Sequence, residues 1–263
     1  MNNYRNFYEN IDRDGRYAPY NDPQEHSAYK SLKQFVQEFD VFNKKCLEIG
    51  SAKGIFQNMV KDYTGLDLLT TLSKYYNKPY FIINNDGTYP FASNTFDAIW
   101  SLDVHEHIPD LNQALLELAR VLKPGGIILI RPAWQVRPWA AAGYRVRPYS
   151  DFGIKGKMIK ALIPLRDSIV WRSIFIFPKR LCRHLLFIMG RRYREMPCKK
   201  LEANYDQFWC SDSDACNSID PHDAILWFES NGFQCLSHPM NINAFWVRSG
   251  PLIFKKKWQG HDS

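Results

Sequence analysis

From residue 44 onward, short apolar runs alternate with helical stretches. That rhythm predicts an α/β fold: a seven-stranded, mostly parallel sheet sandwiched by helices. Two stretches sharpen the prediction. CLEIGSAKG, residues 46–54, leaves an apolar strand through an acid and enters small residues; FDAIWSL, Phe96–Leu102, reads as a strong inner strand. The chain has 263 residues, 45% of them hydrophobic and 15% aromatic, which suffices for one such core with an elaboration.

The elements follow in order. Residues 1–26, rich in Asn, Asp and Tyr, read as an N-terminal arm. Leu32, Phe35, Val36 and Phe39 share one face of a helix over 27–39. Strands are expected at 45–49, 63–66 and 80–83, with a short helix at 54–60 between the first two. Leu111, Leu115, Leu118 and Leu122 predict a helix, which Asp110 and Gln113 open as a D-x-x-Q capping box. The run Lys123-Pro-Gly-Gly126 stops it, and a fifth strand follows at 127–130. Residues 140–200 break the rhythm as an insert. In the remainder, 201–263, Asp220-Pro221 starts a helix that Asn231-Gly232 ends, and last strands fall at 233–237 and 252–255.

Six cysteines lie scattered without a C-x-x-C pair, which reads as reduced thiols rather than a disulfide framework or zinc site. The polar first residues lack an apolar signal-peptide core, so a cytoplasmic location is expected. Net charge is +7, yet residues 151–200 hold 13 Lys and Arg against 3 Asp and Glu, and the rest holds 21 against 24. All the basicity thus resides in the insert, which points to a local anionic partner.

The small residues Gly50, Ala52 and Gly54 stand where a doubly wound sheet receives a ligand, at the carboxyl end of its first strand. A dinucleotide site would show G-x-G-x-x-G with a pyrophosphate on the helix N-terminus. Here the pattern is G-x-A-x-G after Glu48, and an acid aimed into the site repels a pyrophosphate and attracts a cation. Asp67 ends the second strand nineteen residues on, where such sheets place an acid for ribose hydroxyls.

These residues resemble the class I S-adenosylmethionine-dependent methyltransferases, type 11 subgroup, and the likeness continues along the chain. Glu48 to Gly54 is similar to the family's E-x-G-x-G-x-G, with Ala52 for the middle glycine. Asp67, the Asp86-Gly87 loop, FDAIWSLDVHEHIPD at 96–110 and LKPGG at 122–126 follow in the family's order. The resemblance covers residues 44–131, about a third of the chain. It implies a Rossmann-like fold and S-adenosyl-L-methionine as cofactor. It also implies that Glu48, Gly50, Ser51, Ala52 and Gly54 lie by the cofactor's amino acid end. Asp67 would hold the ribose, Asp86 and Gly87 the adenine, and Ser101 and Asp103 would border the methionine end. Alanine at 52 is tolerable where the local φ is negative.

A methyl sulfonium is already activated, so alignment of the acceptor is the main task, with a base needed for a hydroxyl or acidic carbon. His107 and His105 are the candidate catalytic residues; His107 matches the family's histidine, and His105 stands where an aliphatic residue is usual. H-x-H also suits a metal pair, but no further ligand cluster follows at a useful spacing, so no metal is expected. Ser101-Leu-Asp103-Val in place of a D/N-P-P-Y stretch weighs against base or glutamine N-methylation. Pro197-Cys198 lies too far along to be a cytosine-C5 nucleophile.

The insert mixes apolar residues with cations and has no 18-residue apolar run, so a spanning helix is not expected. It reads as a cap over the substrate pocket, as an interfacial pair of helices contacting a membrane peripherally through 154–194, or as an RNA surface, in that order. Asp212 and Asp214 beside Trp209 suggest a sugar platform, or simply capping of the helix from Pro221. The expected reaction is O-methylation of a small or lipid-linked polar substrate, such as a cell-surface saccharide, with nucleic acid disfavoured. The rivals are an NAD-dependent oxidoreductase, an RNA methyltransferase and a non-catalytic membrane-surface or partner-binding relative.

Overall fold

In the computed structural model, residues 2–14, 20–239, 242–247 and 249–258 are described. Seven strands form one sheet: β1 (Lys45–Ile49), β2 (Asp62–Asp67), β3 (Tyr80–Ile82), β4 (Phe96–Leu102), β5 (Leu122–Arg131), β8 (Phe233–Cys235) and β9 (Leu252–Lys256). Their order is β3-β2-β1-β4-β5-β9-β8. The first five run parallel, and β9 pairs antiparallel with β5 and β8. A separate antiparallel pair joins β6 (Cys198–Lys200) to β7 (Asn217–Ile219).

Alternate residues of each inner strand feed opposite faces. Leu47, Ile49, Ile128 and Ile130 pack in one core with α3 (Leu111–Val121) and α6 (Pro221–Ser230), while Cys46, Trp100, Ile127 and Leu129 pack in the other with α2 (Tyr29–Glu38). Burial on both faces is what makes these strands nearly continuous apolar runs. The caps act as read from the sequence: the Asp110 carboxylate accepts from Gln113 N–H at 3.0 Å, and that of Asp220 accepts from His222 N–H at 2.9 Å.

Two elements differ from expectation, and β5 begins five residues earlier than expected, at Leu122, so that Lys123-Pro-Gly-Gly126 lies within the strand. The arm is not irregular: α1 (Asn2–Arg13) is an amphipathic helix whose Phe7, Tyr8 and Ile11 pack with Leu69 and Leu72. Residues 54–60 form turns instead of a helix, because the Gln57 side chain donates to Tyr75 O (3.0 Å) and accepts from Asn77 N–H (2.9 Å), tying the segment to the chain beyond β2. The insert folds as two helices, α4 (Ile154–Asp167) and α5 (Ile169–Ile188), joined at Ser168.

Strand order reverses between β1 and β4, and such a switch point leaves a crevice at the carboxyl ends of the strands.

Candidate active site

A cavity of about 1370 Å³ opens at that crevice. Its walls come from the loops after β1, β2, β3 and β4, from α1, and from residues 208–214. Among the described residues, eight carboxyl groups line it, against Arg5 and Lys53 as the fixed cations.

The loop after β1 is held in place by its neighbours. Gly50, Ala52 and Gly54 have φ of 69°, 45° and 64°, so Ala52 adopts the left-handed region rather than a negative φ. Asp67 stabilises it there: one carboxylate oxygen accepts Ala52 N–H at 2.7 Å, the other its neighbour Leu68 N–H at 2.6 Å. A Cβ on Gly50 would collide with Val104, and one on Gly54 would lie 2.6 Å from the Tyr76 ring. Hence the small residues make way for the protein's own Val104 and Tyr76, not directly for a ligand. The Tyr76 hydroxyl lies 2.7 Å from Ser51 Oγ and 2.8 Å from Ala52 O. Gly50, Ser51 and Ala52 border the cavity; Gly54 does not.

Glu48 lies buried on β1 and lines the cavity, with Tyr63 O–H donating to it at 2.5 Å. Burial pushes its carboxyl up to about 8, against the pull of the Tyr63 bond. Asp86, Gly87 and Asp103 also reach the cavity. The Asp86 carboxylate accepts from Thr88 N–H (2.9 Å) and O–H (2.6 Å), an Asx turn before Gly87 at φ 83°. Asp103 pairs with Arg131 at 2.9 Å and lies 3.7 Å from His26 Nε2. Ser101 is fully buried within β4 and does not line the cavity, so the expected contact with a ligand is corrected.

The two histidines part company. His105 is buried away from the cavity, neither ring nitrogen has a hydrogen-bond partner, and burial lowers its pKa to about 4; it is not placed to meet a substrate. His107 does line the cavity, with Nδ1 3.1 Å from Asp214 Oδ2 and Nε2 3.8 Å from Glu106 Oε1. Burial lowers its pKa, but Asp214 and Glu106 together outweigh burial and raise it to about 9. An imidazolium at neutral pH is no base.

Glu106 is the residue the sequence reading passed over. Its side chain is fully buried, Oε1 accepts Ala133 N–H at 2.7 Å, and Oε2 has no hydrogen-bond partner. Burial raises its pKa to about 7, with His107 pulling the other way. Its neighbours hold the loop, since Cys216 and Asn217 N–H both donate to Glu106 O at 2.9 Å. Glu106, His107 and Asp212 also offer ligand atoms within 4.8 Å of one another, a cluster that linear spacing concealed. In that cluster the imidazole is already engaged by Asp214 and holds a proton that a metal would have to displace.

Asp212 and Asp214 line the cavity, while Trp209 packs against Gly143 and Arg147, so no aromatic platform accompanies these acids. Nor does the insert act as the cap: among the described residues, none from 140–200 lines the cavity. Tyr4, Tyr8 and Ile11 of α1, with Phe208, take that place, and Tyr8 O–H donates to Asp214 at 2.5 Å. The spacing of Tyr4, Phe7, Tyr8 and Ile11, at i, i+3, i+4 and i+7, was the available signal for α1. Nothing in linear order tied Asp214 to His107.

The fold is the Rossmann-like, mostly parallel sheet of the class I methyltransferases. Residues 47–130, about a third of the chain, match the family model described as a methyltransferase domain. The chain is 29% identical over 111 residues to the phthiotriol/phenolphthiotriol dimycocerosates methyltransferase 1 of Mycobacterium ulcerans, covering 38% of this chain and 41% of that one. It is 30% identical over 121 residues to the chloroplastic tocopherol O-methyltransferase of Arabidopsis thaliana, covering 46% and 31%. The chain therefore spans less than half the length of these relatives. A solved S-adenosylmethionine-dependent methyltransferase from Aquifex aeolicus is similar at 18% identity with a TM-score of 0.35, over 44% of this chain and 75% of that one. The cofactor of this family is S-adenosylmethionine. The residues present fit it: a buried carboxyl, Glu48, faces an acid-rich cavity that suits a cationic ligand.

Proposed function

We propose that this protein transfers a methyl group from S-adenosylmethionine to an oxygen of a small or lipid-linked polar acceptor. The observation that carries the reading is the sign of the cavity. Among the described residues, even with Glu48 and Glu106 protonated and His107 charged, six carboxylates face Arg5, Lys53 and His107, which favours a sulfonium and an ammonium and opposes a pyrophosphate or a nucleic-acid backbone. An NAD-dependent oxidoreductase and an RNA methyltransferase are both disfavoured on that ground. The oxygen acceptor draws support from the Arabidopsis relative, a tocopherol O-methyltransferase.

Bound there, S-adenosylmethionine supplies an activated methyl group. Glu48 with Gly50, Ser51 and Ala52 would hold its amino acid end, Asp67 its ribose, and Asp86 and Gly87 its adenine. Glu106 is the general base: its unpartnered Oε2 is free to take the acceptor proton, and a pKa near 7 suits that task. His107, held as a cation by Asp214, sits beside Glu106 and steadies the carboxylate as it ionises. Helix α1 and Phe208 form the apolar part of the wall beside these groups.

Calorimetric titration with S-adenosylhomocysteine and with NAD, on wild type and Asp67→Ala, tests the cofactor assignment. Binding of the homocysteine nucleoside, weakened at least tenfold by the substitution, is expected. Binding of NAD alone would overturn it. Transfer of labelled methyl into lipid and aqueous cell extracts, with the label's resistance to mild base recorded, then tests for an oxygen acceptor. If wild type binds cofactor yet methylates nothing, the non-catalytic relative is the better reading.

A further inference from the structure

Among the described residues, the α4–α5 hairpin carries eleven exposed large hydrophobic side chains and takes no part in the cavity. Helix α5 is anchored by its inner face alone. Arg180 pairs with Asp220 at 2.9 Å, Arg183 with Asp223, and His184 Nδ1 meets His222 Nε2 at 3.3 Å. Phe177 stacks on Trp246 with centroids 5.1 Å apart, beside Phe245. Two of the arginines counted in the basic segment are thus neutralised within the fold.

The outer face is different. Val170, Ile174, Leu181, Leu185 and Ile188 recur at i, i+4, i+11, i+15 and i+18, one stripe of an α-helix, and they are 39–67% exposed. Helix α4 repeats the pattern with Ile154, Met158, Leu162 and Leu165 at i, i+4, i+8 and i+11, 44–82% exposed. No acid interrupts either stripe. Along the hairpin the exposed cations are Lys155, Lys157, Arg166, Lys179, Arg191 and Arg192, against Asp167 as the single acid in 154–192, itself paired with Arg137 and Arg145. Scattered exposed apolar side chains need no explanation, but two helical stripes of this length on one hairpin do.

We infer that the α4–α5 hairpin is a docking element that lies on an anionic bilayer surface, its apolar stripes in the headgroup–acyl boundary and its cations against lipid phosphates. Charge complementarity selects the occupant: apolar stripes flanked by unneutralised cations match an anionic lipid leaflet. A second copy of the hairpin would set the same cations against each other, and a nucleic acid would leave the aliphatic stripes uncovered. The hairpin lies on the membrane and does not cross it, because among the described residues no helix is long and apolar enough to span. The proposal does not depend on the methyl-transfer reading.

Co-sedimentation of the full chain with vesicles of phosphatidylcholine and phosphatidylglycerol, 1:1, tests it. Binding is expected at low salt, lost in high salt, and absent with pure phosphatidylcholine. Lys155→Gln with Lys157→Gln should weaken partitioning roughly 30-fold, from about 1 kcal/mol per cation at such a surface. Ile174→Asp with Leu185→Asp should abolish it; both positions are exposed, so the melting temperature should stay within a few degrees of wild type. No binding at low salt, or equal binding to neutral vesicles, would overturn the proposal. So would a concentration-dependent dimer that Ile174→Asp with Leu185→Asp converts to monomer without vesicle binding, or retention of a short RNA in place of vesicles.

Discussion

Glu48 shows how one buried acid couples folding to ligand. Its folded pKa, near 8, stands above the ordinary glutamate value because burial disfavours the charge. Between those two values the folded form holds more protons than the unfolded one, so its contribution to stability falls as pH rises through that window. Glu48→Gln, which keeps an acceptor for Tyr63 O–H, should therefore raise the melting temperature relative to wild type at pH 8.5 more than at pH 5. It should also weaken cofactor binding above pH 8, where the wild-type carboxyl ionises and the amide cannot. A variant no more stable than wild type at pH 8.5 would show that Glu48 is not held protonated. Glu106 carries a separate expectation. As base it must be ionised, so turnover should rise with pH through about 7, and Glu106→Gln should lower kcat by roughly 10²–10⁴-fold with cofactor affinity retained. Equal loss from His107→Gln and a flat pH profile would return the base to the histidine. Which acid serves could not be read from HEH alone. Three adjacent residues offer the same chemistry on paper, and only the fold buries His105, charges His107 through Asp214 and leaves Glu106 Oε2 unpartnered.

At the level of elements, what was legible depended on whether the signal was local. β1 and β4 were read to the residue, because a parallel strand buried on both faces has to be a short apolar run, whereas β5 also takes in the Lys123-Pro-Gly-Gly126 run that was read as a stop. The helices opened by Asp110 and Asp220 were equally plain, since a cap is a bond between residues two or three apart. The turns at 54–60 were not, because Gln57 is bound by Tyr75 and Asn77, distant in sequence. The lid was misplaced for the same reason: charge and hydrophobicity drew attention to the insert, whereas α1 closes the cavity with few charges and modest length. Deleting residues 2–14 makes the difference measurable. It should uncover Leu69 and Leu72, remove the Tyr8 bond to Asp214, and raise the cofactor Kd by about tenfold or more while the sheet's far-ultraviolet signature persists. Unchanged affinity would mean that α1 only covers an apolar patch.

Across the whole molecule the charges are sorted: carboxylates gather in the cavity at the switch point, and cations gather on a hairpin that does not line it. The two sets differ in solvent access, and that difference predicts how each responds to salt. Screening shortens the reach of exposed charges from about 10 Å at 0.1 M to about 3 Å at 1 M, while buried groups are screened far less. The hairpin's Lys155, Lys157 and Lys179 are exposed; Glu48, Asp67, Glu106 and Asp214 are buried. One salt titration from 50 to 500 mM, followed by vesicle co-sedimentation and by calorimetry with S-adenosylmethionine, should separate them. Vesicle binding is expected to fall by more than an order of magnitude, and cofactor affinity by no more than a few-fold. A parallel loss of both would mean that the cofactor's charges are met by exposed acids such as Asp86 and Asp110 rather than by the buried pair Glu48 and Asp67. The cavity would then be open enough for bulk ions to compete there, and the closure assigned to α1 would fail with it.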